Sequence, residues 1–222
     1  MAWDQWGFHA DDMLESGTCP VPGALPKARG PGLPLRVVWS GVHIGRKALP
    51  ILLHALAELK SDAVPIEVTV LGDGPETGRW RGLAAELGVS SLVKWTGKLP
   101  RKEALSQVER ADVMAFTSLQ EGTPHAVLEA LSFGLPVICH DACGMGAAVT
   151  NECGIKVPMR SPRASIIGFA SALRRLCDTP GELTRLSSGA LRRATDLAWA
   201  AKGLRIARAY DQVLSFVPAV RS

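Results

Sequence analysis

Two glutamates, Glu121 and Glu129, stand eight residues apart with a Thr-Pro pair between them, and they are the residues best placed to do chemistry in this sequence. They lie inside residues 118–138, SLQEGTPHAVLEALSFGLPVI. Glu121-Gly122 reads as loop. Thr123 is a good N-cap, and Pro124 fits the first helical position, where its missing N–H costs nothing. Residues 125–133 then carry a helical pattern, with Val127, Leu128, Leu131 and Ser132 at three- and four-residue spacing. Gly134 closes that helix, and Pro136-Val-Ile-Cys reads as a short buried strand. Such a helix start presents free N–H groups, here those of His125 and Ala126, at the positive end of a helix dipole. It is an anion site before any side chain is counted. Glu129 shares a face with His125, so both can line one wall of a cleft. A carboxylate beside an anion site repels bare phosphate, but it can accept hydrogen bonds from hydroxyls flanking a phosphate, such as those of a sugar and a ribose. On local chemistry alone, a capped surface helix with a solvated glutamate fits the same residues.

Positioning these groups is the task of the surrounding elements. Residues 36–40 (RVVWS) read as a strand, followed by the glycine loop Gly41-Val-His-Ile-Gly-Arg-Lys. Residues 47–60 show helical periodicity, with Leu49, Leu52, Leu53, Leu56 and Leu59 toward a core. Strand, glycine loop and helix start make a phosphate-binding corner of a doubly wound sheet, although the spacing is neither G-x-G-x-x-G nor a Walker loop. Residues 66–71 form the second strand, with Gly72-Asp-Gly-Pro as its turn; Gly72 permits close backbone approach, and Asp73 is a turn former. A helix over 78–87 leads to a third strand over 92–96, with Trp95 in the core and Gly97-Lys98-Leu99 after it. A helix over 101–110 and a strand over 112–117 then feed the glutamate motif. Beyond it come a strand over 136–140, the loop Asp141-Ala-Cys-Gly-Met-Gly, a short strand over 154–157, and helices over 163–177, 181–195 and 197–216. The last helix carries Leu204, Ala207, Tyr210, Val213 and Leu214 on one face. Residues 1–34 are irregular: Trp3, Trp6 and Phe8 in a polar context, then a proline- and glycine-rich run that reads as a linker. Strands alternating with helices predict an α/β fold, a doubly wound, Rossmann-like parallel sheet of about six strands, with ligands at the carboxyl ends of the strands.

Composition narrows the classes. With 47% apolar and 21% charged residues, the 222-residue chain is an ordinary globular sequence with one sizeable core. The net charge of +4 suits anionic small ligands or an acidic membrane surface and is too mild and dispersed for nucleic acid. No run approaches the length of a membrane span, and the N-terminus lacks the pattern of a signal peptide. Five scattered cysteines argue for a reducing compartment and free buried thiols. Cys139, His140 and Cys143 have no second ligand pair at a supporting spacing, so no metal is expected.

E-G-T-P-x-x-x-x-E-A followed by G-L-P-V-I resembles the E-x7-E signature of retaining GT-B glycosyltransferases of the family-4 (group 1) type, and the likeness runs from about Leu35 to Tyr210. It implies the C-terminal half of a GT-B fold: a nucleotide-sugar-binding domain over 35–222, preceded by an extension or inter-domain linker over 1–34. Leu14-Glu-Ser-Gly resembles the point where the first domain hands over to the second, so the N-terminal acceptor domain is expected to be absent. By resemblance Glu121 faces the hydroxyls of the donor sugar and Glu129 holds the nucleotide ribose. The helix start Gly122-Thr123-Pro124-His125-Ala126 receives the diphosphate, with Lys47 and the Gly41 loop opposite. The family's second cation falls at Val42 or His43, a departure that leaves two alternatives: Arg46 substitutes for it, or one cation plus the helix dipole suffices. Gly72 approaches the donor, Gly97 and Lys98 border the base, and Gly144, Met145 and Gly146 lie near the donor sugar. Glu121 and Lys47 would carry the catalytic roles. The implied activity is transfer of a hexosyl group from a UDP- or GDP-linked sugar to a glycan or lipid-linked acceptor with retention, in surface polysaccharide assembly. The implied place is the cytoplasm, with peripheral contact at the inner membrane face, and no metal or other cofactor is implied. A donor half alone would turn over poorly. A non-catalytic nucleotide-binding module of the same fold and a sugar-nucleotide epimerase remain alternatives.

Overall fold

Six short runs, most of them rich in valine, isoleucine and leucine, form the sheet: β1 (Leu35–Ser40), β2 (Ile66–Leu71), β3 (Val93–Gly97), β4 (Val113–Phe116), β5 (Val137–His140) and β6 (Gly154–Val157). The computed structural model describes residues 16–30, 32–60, 64–179 and 181–216; Trp3, Trp6, Phe8, Leu14 and Glu15 lie outside the described residues. Every pairing is parallel, and the strand order is β3-β2-β1-β4-β5-β6. Parallel neighbours require crossovers, and helices supply them: α1 (Leu49–Lys60), α2 (Thr77–Glu86), α3 (Arg101–Arg110), α4 (His125–Ser132) and α5 (Cys143–Ala148), while α6 (Pro162–Asp178), α7 (Glu182–Asp196) and α8 (Trp199–Phe216) follow the last strand. Both faces of the sheet are therefore covered, which is why β4 and β5 are buried at every position. One core layer joins the sheet to α1, α2 and α6; the other joins it to α3, α4, α5 and part of α7. Leu49, Leu52, Leu53 and Leu56 are fully buried along α1, each worth roughly 1.5–3 kcal/mol.

Two expectations change. The helix after β1 begins at Leu49 rather than Lys47: Gly45–Lys47 is a single 3₁₀ turn, and Ala48 sits in the left-handed region at φ 48°. Pro50 sets that boundary, because proline is tolerated only in the first turn of a helix. The expected linker is, over residues 16–30, a strap fastened to the domain. Thr18 donates its amide to the Leu197 carbonyl at 2.9 Å and its hydroxyl to the Ala194 carbonyl, while Val21 N–H reaches the Ser132 carbonyl and Lys27 N–H reaches Ser187 Oγ at 2.7 Å. Its prolines and glycines fit an extended path along helix ends as well as they fit a free linker. Of the residues placed on one face of α8, Leu204, Ala207 and Tyr210 are exposed, and the side chains of Val213 and Leu214 lie outside the described ones. The thiols divide as well: Cys139 and Cys153 are buried, whereas Cys19 and Cys143 are exposed.

The turn after β2 locks three strand ends together. Gly72 N–H donates to the Gly97 carbonyl at 3.0 Å, and Gly41 N–H to the Leu71 carbonyl at 3.2 Å. Gly72 sits at φ 110°, and a Cβ there would lie 2.0 Å from the Gly41 carbonyl oxygen. Gly72→Ala is therefore expected to lose about 2 kcal/mol or more, from backbone strain and a contact with unyielding backbone. Urea denaturation measures this; a midpoint equal to that of the native protein contradicts it.

Candidate functional site

In this sheet β1 is flanked by β2 on one side and β4 on the other, so the chain's winding reverses there. Loops leaving β1 and β4 depart toward opposite faces, and a crevice opens outside their carboxyl ends. Both loops carry the charged residues. The β1 loop first turns inward: His43 is buried with its ring 5.5 Å from that of Trp39, 5.1 Å from Trp80 and 5.9 Å from Trp95. Its Nδ1 meets Thr77 Oγ1 at 2.7 Å. Burial pushes its pKa below the ordinary histidine value, against the pull of Asp73. His43 is thus a core residue and Val42 is uncharged, so neither supplies the second cation expected at that position.

Arg46 and Lys47 follow, and the β4 loop holds their turn in place. Thr117 donates its hydroxyl to the Lys47 carbonyl at 2.8 Å and accepts Trp39 Nε1–H at 2.9 Å. Leu119 N–H donates to the Arg46 carbonyl at 2.8 Å. The side chains then converge on one atom. Glu121 Oε1 accepts Lys47 Nζ, Arg46 Nη1 at 2.9 Å and Ser118 Oγ at 2.8 Å. Lys47 also lies over the Phe116 ring, 5.2 Å from its centroid. Burial pushes the Glu121 pKa up, but the hydrogen bonds from Lys47 and Ser118 and the charges of Lys47 and Arg46 outweigh it and hold the carboxyl below its ordinary value. Beneath this group, buried His140 links Ser118 to α6. Its Nδ1 is 3.1 Å from the Ser118 carbonyl, which can only accept, so Nε2 is left to accept the Ser165 hydroxyl at 2.9 Å. That is a neutral imidazole, and burial lowers its pKa too.

The start of α4 departs from expectation in one respect. Pro124, at φ −81° and ψ 80°, is the central residue of an inverse γ-turn, and the His125 amide donates to the Thr123 carbonyl at 3.0 Å. Pro124 rather than Thr123 takes the cap position, without a side-chain cap. The His125 amide is therefore not bare, and Ala126 N–H is the one left without an acceptor among the described residues. Gly122 lies against Gly144, where a Cβ would fall 1.7 Å from the Gly122 carbonyl oxygen, and Gly144 N–H donates to the Glu121 carbonyl at 3.1 Å. The first turn of α5, where the sequence suggested a loop, thus braces the glutamate loop, while Met145 belongs to the core instead of the cleft.

The remaining candidates separate into two cavities. Gly41, Gly72 and Lys98 line one of about 440 Å³, together with Asp73 and Leu99. Gly97 adjoins it, but its carbonyl is already used by Gly72. Asp73 forms the turn, accepting Gly74 N–H at 2.8 Å and the Thr77 hydroxyl at 2.6 Å. His125 and Glu129 line a second cavity of about 340 Å³ with Leu105, Leu128, Trp199 and the strap. Glu129 pairs there with Arg101 at 2.7 Å; with side chains 33% and 76% exposed, that pair is worth well under about 1 kcal/mol. Sequence reasoning missed Arg101, Thr117, Ser118 and His140. Thr117-Ser118 left a usable signal, two hydroxyls at the end of an apolar strand, whereas nothing local ties Arg101 or His140 to the motif.

A family model described as "Glycosyl transferases group 1" matches residues 33–190. The D-inositol 3-phosphate glycosyltransferase of Streptomyces bingchenggensis is 32% identical over 188 residues, covering 79% of this chain and 40% of the relative. The MMP alpha-(1->4)-mannosyltransferase of Mycolicibacterium hassiacum is 29% identical over 176 residues, covering 78% and 42%. The chain thus spans about 40% of the length of these curated relatives. Among solved structures, the pneumococcal O-GlcNAc transferase GtfA in complex with UDP and GlcNAc superposes with a TM-score of 0.72 at 16% identity, over 96% of this chain and 43% of that one. At that identity the likeness is one of fold.

His43 and His140 both have folded-state pKa values below the ordinary 6.5, so between those values the unfolded chain binds more protons. Their contribution to stability is complete above pH 6.5 and is lost as the pH falls below it. The thermal midpoint should therefore drop from pH 7.5 to 5.5, and the His43→Gln/His140→Gln variant, though less stable at pH 7.5, should show a flatter profile. Parallel profiles contradict this.

Proposed function

Because the chain belongs to the group 1 glycosyl transferases, we propose that it forms the donor-binding half of a retaining enzyme of the family-4 type. In this reading a hexosyl group passes from a UDP- or GDP-linked sugar to a glycan or lipid-linked acceptor. The observation that carries the proposal is the convergence of Lys47, Arg46 and Glu121 at the reversal point of the sheet, beside a glycine-lined cavity at the strand ends. Transfer must stabilise a nucleoside diphosphate as it leaves and an oxocarbenium-like sugar as it forms. Lys47 and Arg46, with the Ala126 amide, neutralise the developing phosphate charge, a task that otherwise falls to a metal ion. Glu121 orients the sugar hydroxyls. Glu129 accepts the ribose hydroxyls after Arg101 swings aside, a small cost for an exposed pair. The cavity lined by Gly41, Gly72 and Lys98 takes the base, with glycine allowing the ligand to approach the backbone.

The pneumococcal structure named above contains UDP, which supports a uridine donor for this fold without choosing between UDP and GDP here. The relatives are more than twice as long as the matched part, so acceptor binding and turnover belong, in this proposal, to a chain or partner that also supplies an acceptor domain. Among the described residues no helix is long and apolar enough to cross a membrane. We place the reaction in the cytoplasm, at the inner membrane face where the acceptor is lipid-linked, as a step in surface polysaccharide assembly.

Calorimetry with UDP and with GDP tests the donor site. Lys47→Ala should weaken binding about tenfold or more through the loss of a charge-assisted hydrogen bond, and Glu129→Ala should weaken the nucleotide but not inorganic pyrophosphate. Equal affinities in all three proteins would refute the site.

A further inference from the structure

We propose that Glu121 is a specificity-determining residue that distinguishes a nucleotide sugar from a free nucleoside diphosphate, because in the ligand-free protein its carboxylate holds the place of a phosphate oxygen on Lys47 and Arg46. This rests on the donor-site reading above. Lysine, arginine and serine converge on a single oxygen, Oε1, which is the donor set a phosphate oxygen would recruit. The Glu121 and Lys47 side chains are only 12% and 13% exposed, so water does little to screen the pair. Arg46 has a second anchor on the Gln120 carbonyl at 2.9 Å, and Lys47 rests on the Phe116 ring. Both cations therefore stay in position when the carboxylate lets go.

A diphosphate that engages Lys47 must displace Glu121. The carboxylate then loses its cations in a largely dehydrated position, which is unfavourable unless new donors reach it. A free nucleoside diphosphate brings more negative charge, and its ribose hydroxyls go to Glu129 in this reading. A nucleotide sugar brings hydroxyls, which donate to the released carboxylate and offset its loss. No proton moves in this exchange; one set of hydrogen bonds replaces another. Binding is thereby made conditional on the sugar. Once the sugar has been transferred, Glu121 regains Lys47 and drives the nucleoside diphosphate out.

Calorimetry on the native protein, Glu121→Gln, Lys47→Ala and the double variant tests this, with inorganic pyrophosphate, UDP, UDP-glucose, GDP and GDP-mannose as titrants. Glu121→Gln should bind pyrophosphate and the free nucleotide about tenfold more tightly than the native protein. It should no longer favour the nucleotide sugar over the nucleotide. In the Lys47→Ala background the same change should tighten pyrophosphate binding by only about threefold or less, since the carboxylate then guards Arg46 alone. Equal pyrophosphate affinity in native and Glu121→Gln proteins overturns the proposal. A gain that persists undiminished without Lys47 also overturns it, as it would reflect only the removal of a negative charge. So does a sugar preference that survives Glu121→Gln. Should Glu121→Gln not fold, Ser118→Ala, which removes one donor from the carboxylate, must raise pyrophosphate affinity a few-fold or the proposal fails. Lys47-dependent tightening toward pyrophosphate in a protein that binds no nucleotide upholds the placeholder and sinks the donor-site reading. Binding of no titrant by any variant sinks both.

Discussion

A parallel sheet places every strand's carboxyl end along one edge, and everything chemical in this molecule depends on where the winding of that sheet reverses. Between β1 and β4 the connections part toward opposite faces, which opens a crevice at the strand ends. The backbone there would be loose if the two loops did not hold each other. Thr117 and Leu119 grip the carbonyls of Lys47 and Arg46, and Trp39 fixes Thr117 from within the core. Hydrogen bonds from one strand end to the next thus hold the two loops together, and the side chains that emerge are charged.

Those charges are organised in depth. Glu121 at the surface is held by Ser118, whose carbonyl is held by His140, whose far nitrogen is held by Ser165 on α6. Each group satisfies the next, so a polar column enters the core without leaving a charge unpaired. His140 stays neutral and acts as a connector. Its burial and its two partners leave it no reactive lone pair. The column also explains why Glu121 remains ionised despite limited exposure: local donors outweigh the loss of water.

The alternation of strands and helices was plain in the sequence, because buried parallel strands are continuous apolar runs and α1 repeats leucine at helical spacing. The EGTP motif and Lys47 could likewise be read as parts of one crevice, since both follow strand ends. What could not be read was geometry that depends on distant partners. Pro124 was legible as a helix start but not as a γ-turn that takes up the His125 amide. His43 resembled a cleft residue because its loop does, yet three tryptophans from β1, α2 and β3 draw it inward. Arg101 lies 28 residues from Glu129, and only the packing of α3 beside α4 brings them together. The strap looked like a linker because proline and glycine report the absence of regular structure, which is a different property from freedom.

The strap has a kinetic consequence. Thr18 bonds to the Ala194 carbonyl across 176 residues, so fastening it closes nearly the entire described chain into a ring. Ring closure of that span has little to gain until α7 and the turn into α8 are already formed, which makes this knot one of the last to be tied during folding. The reverse holds during fluctuations. A few hydrogen bonds at the margin can part while the sheet remains intact, so the wall that residues 16–21 give to the Glu129 cavity is free to breathe on a faster clock than the strands beneath it.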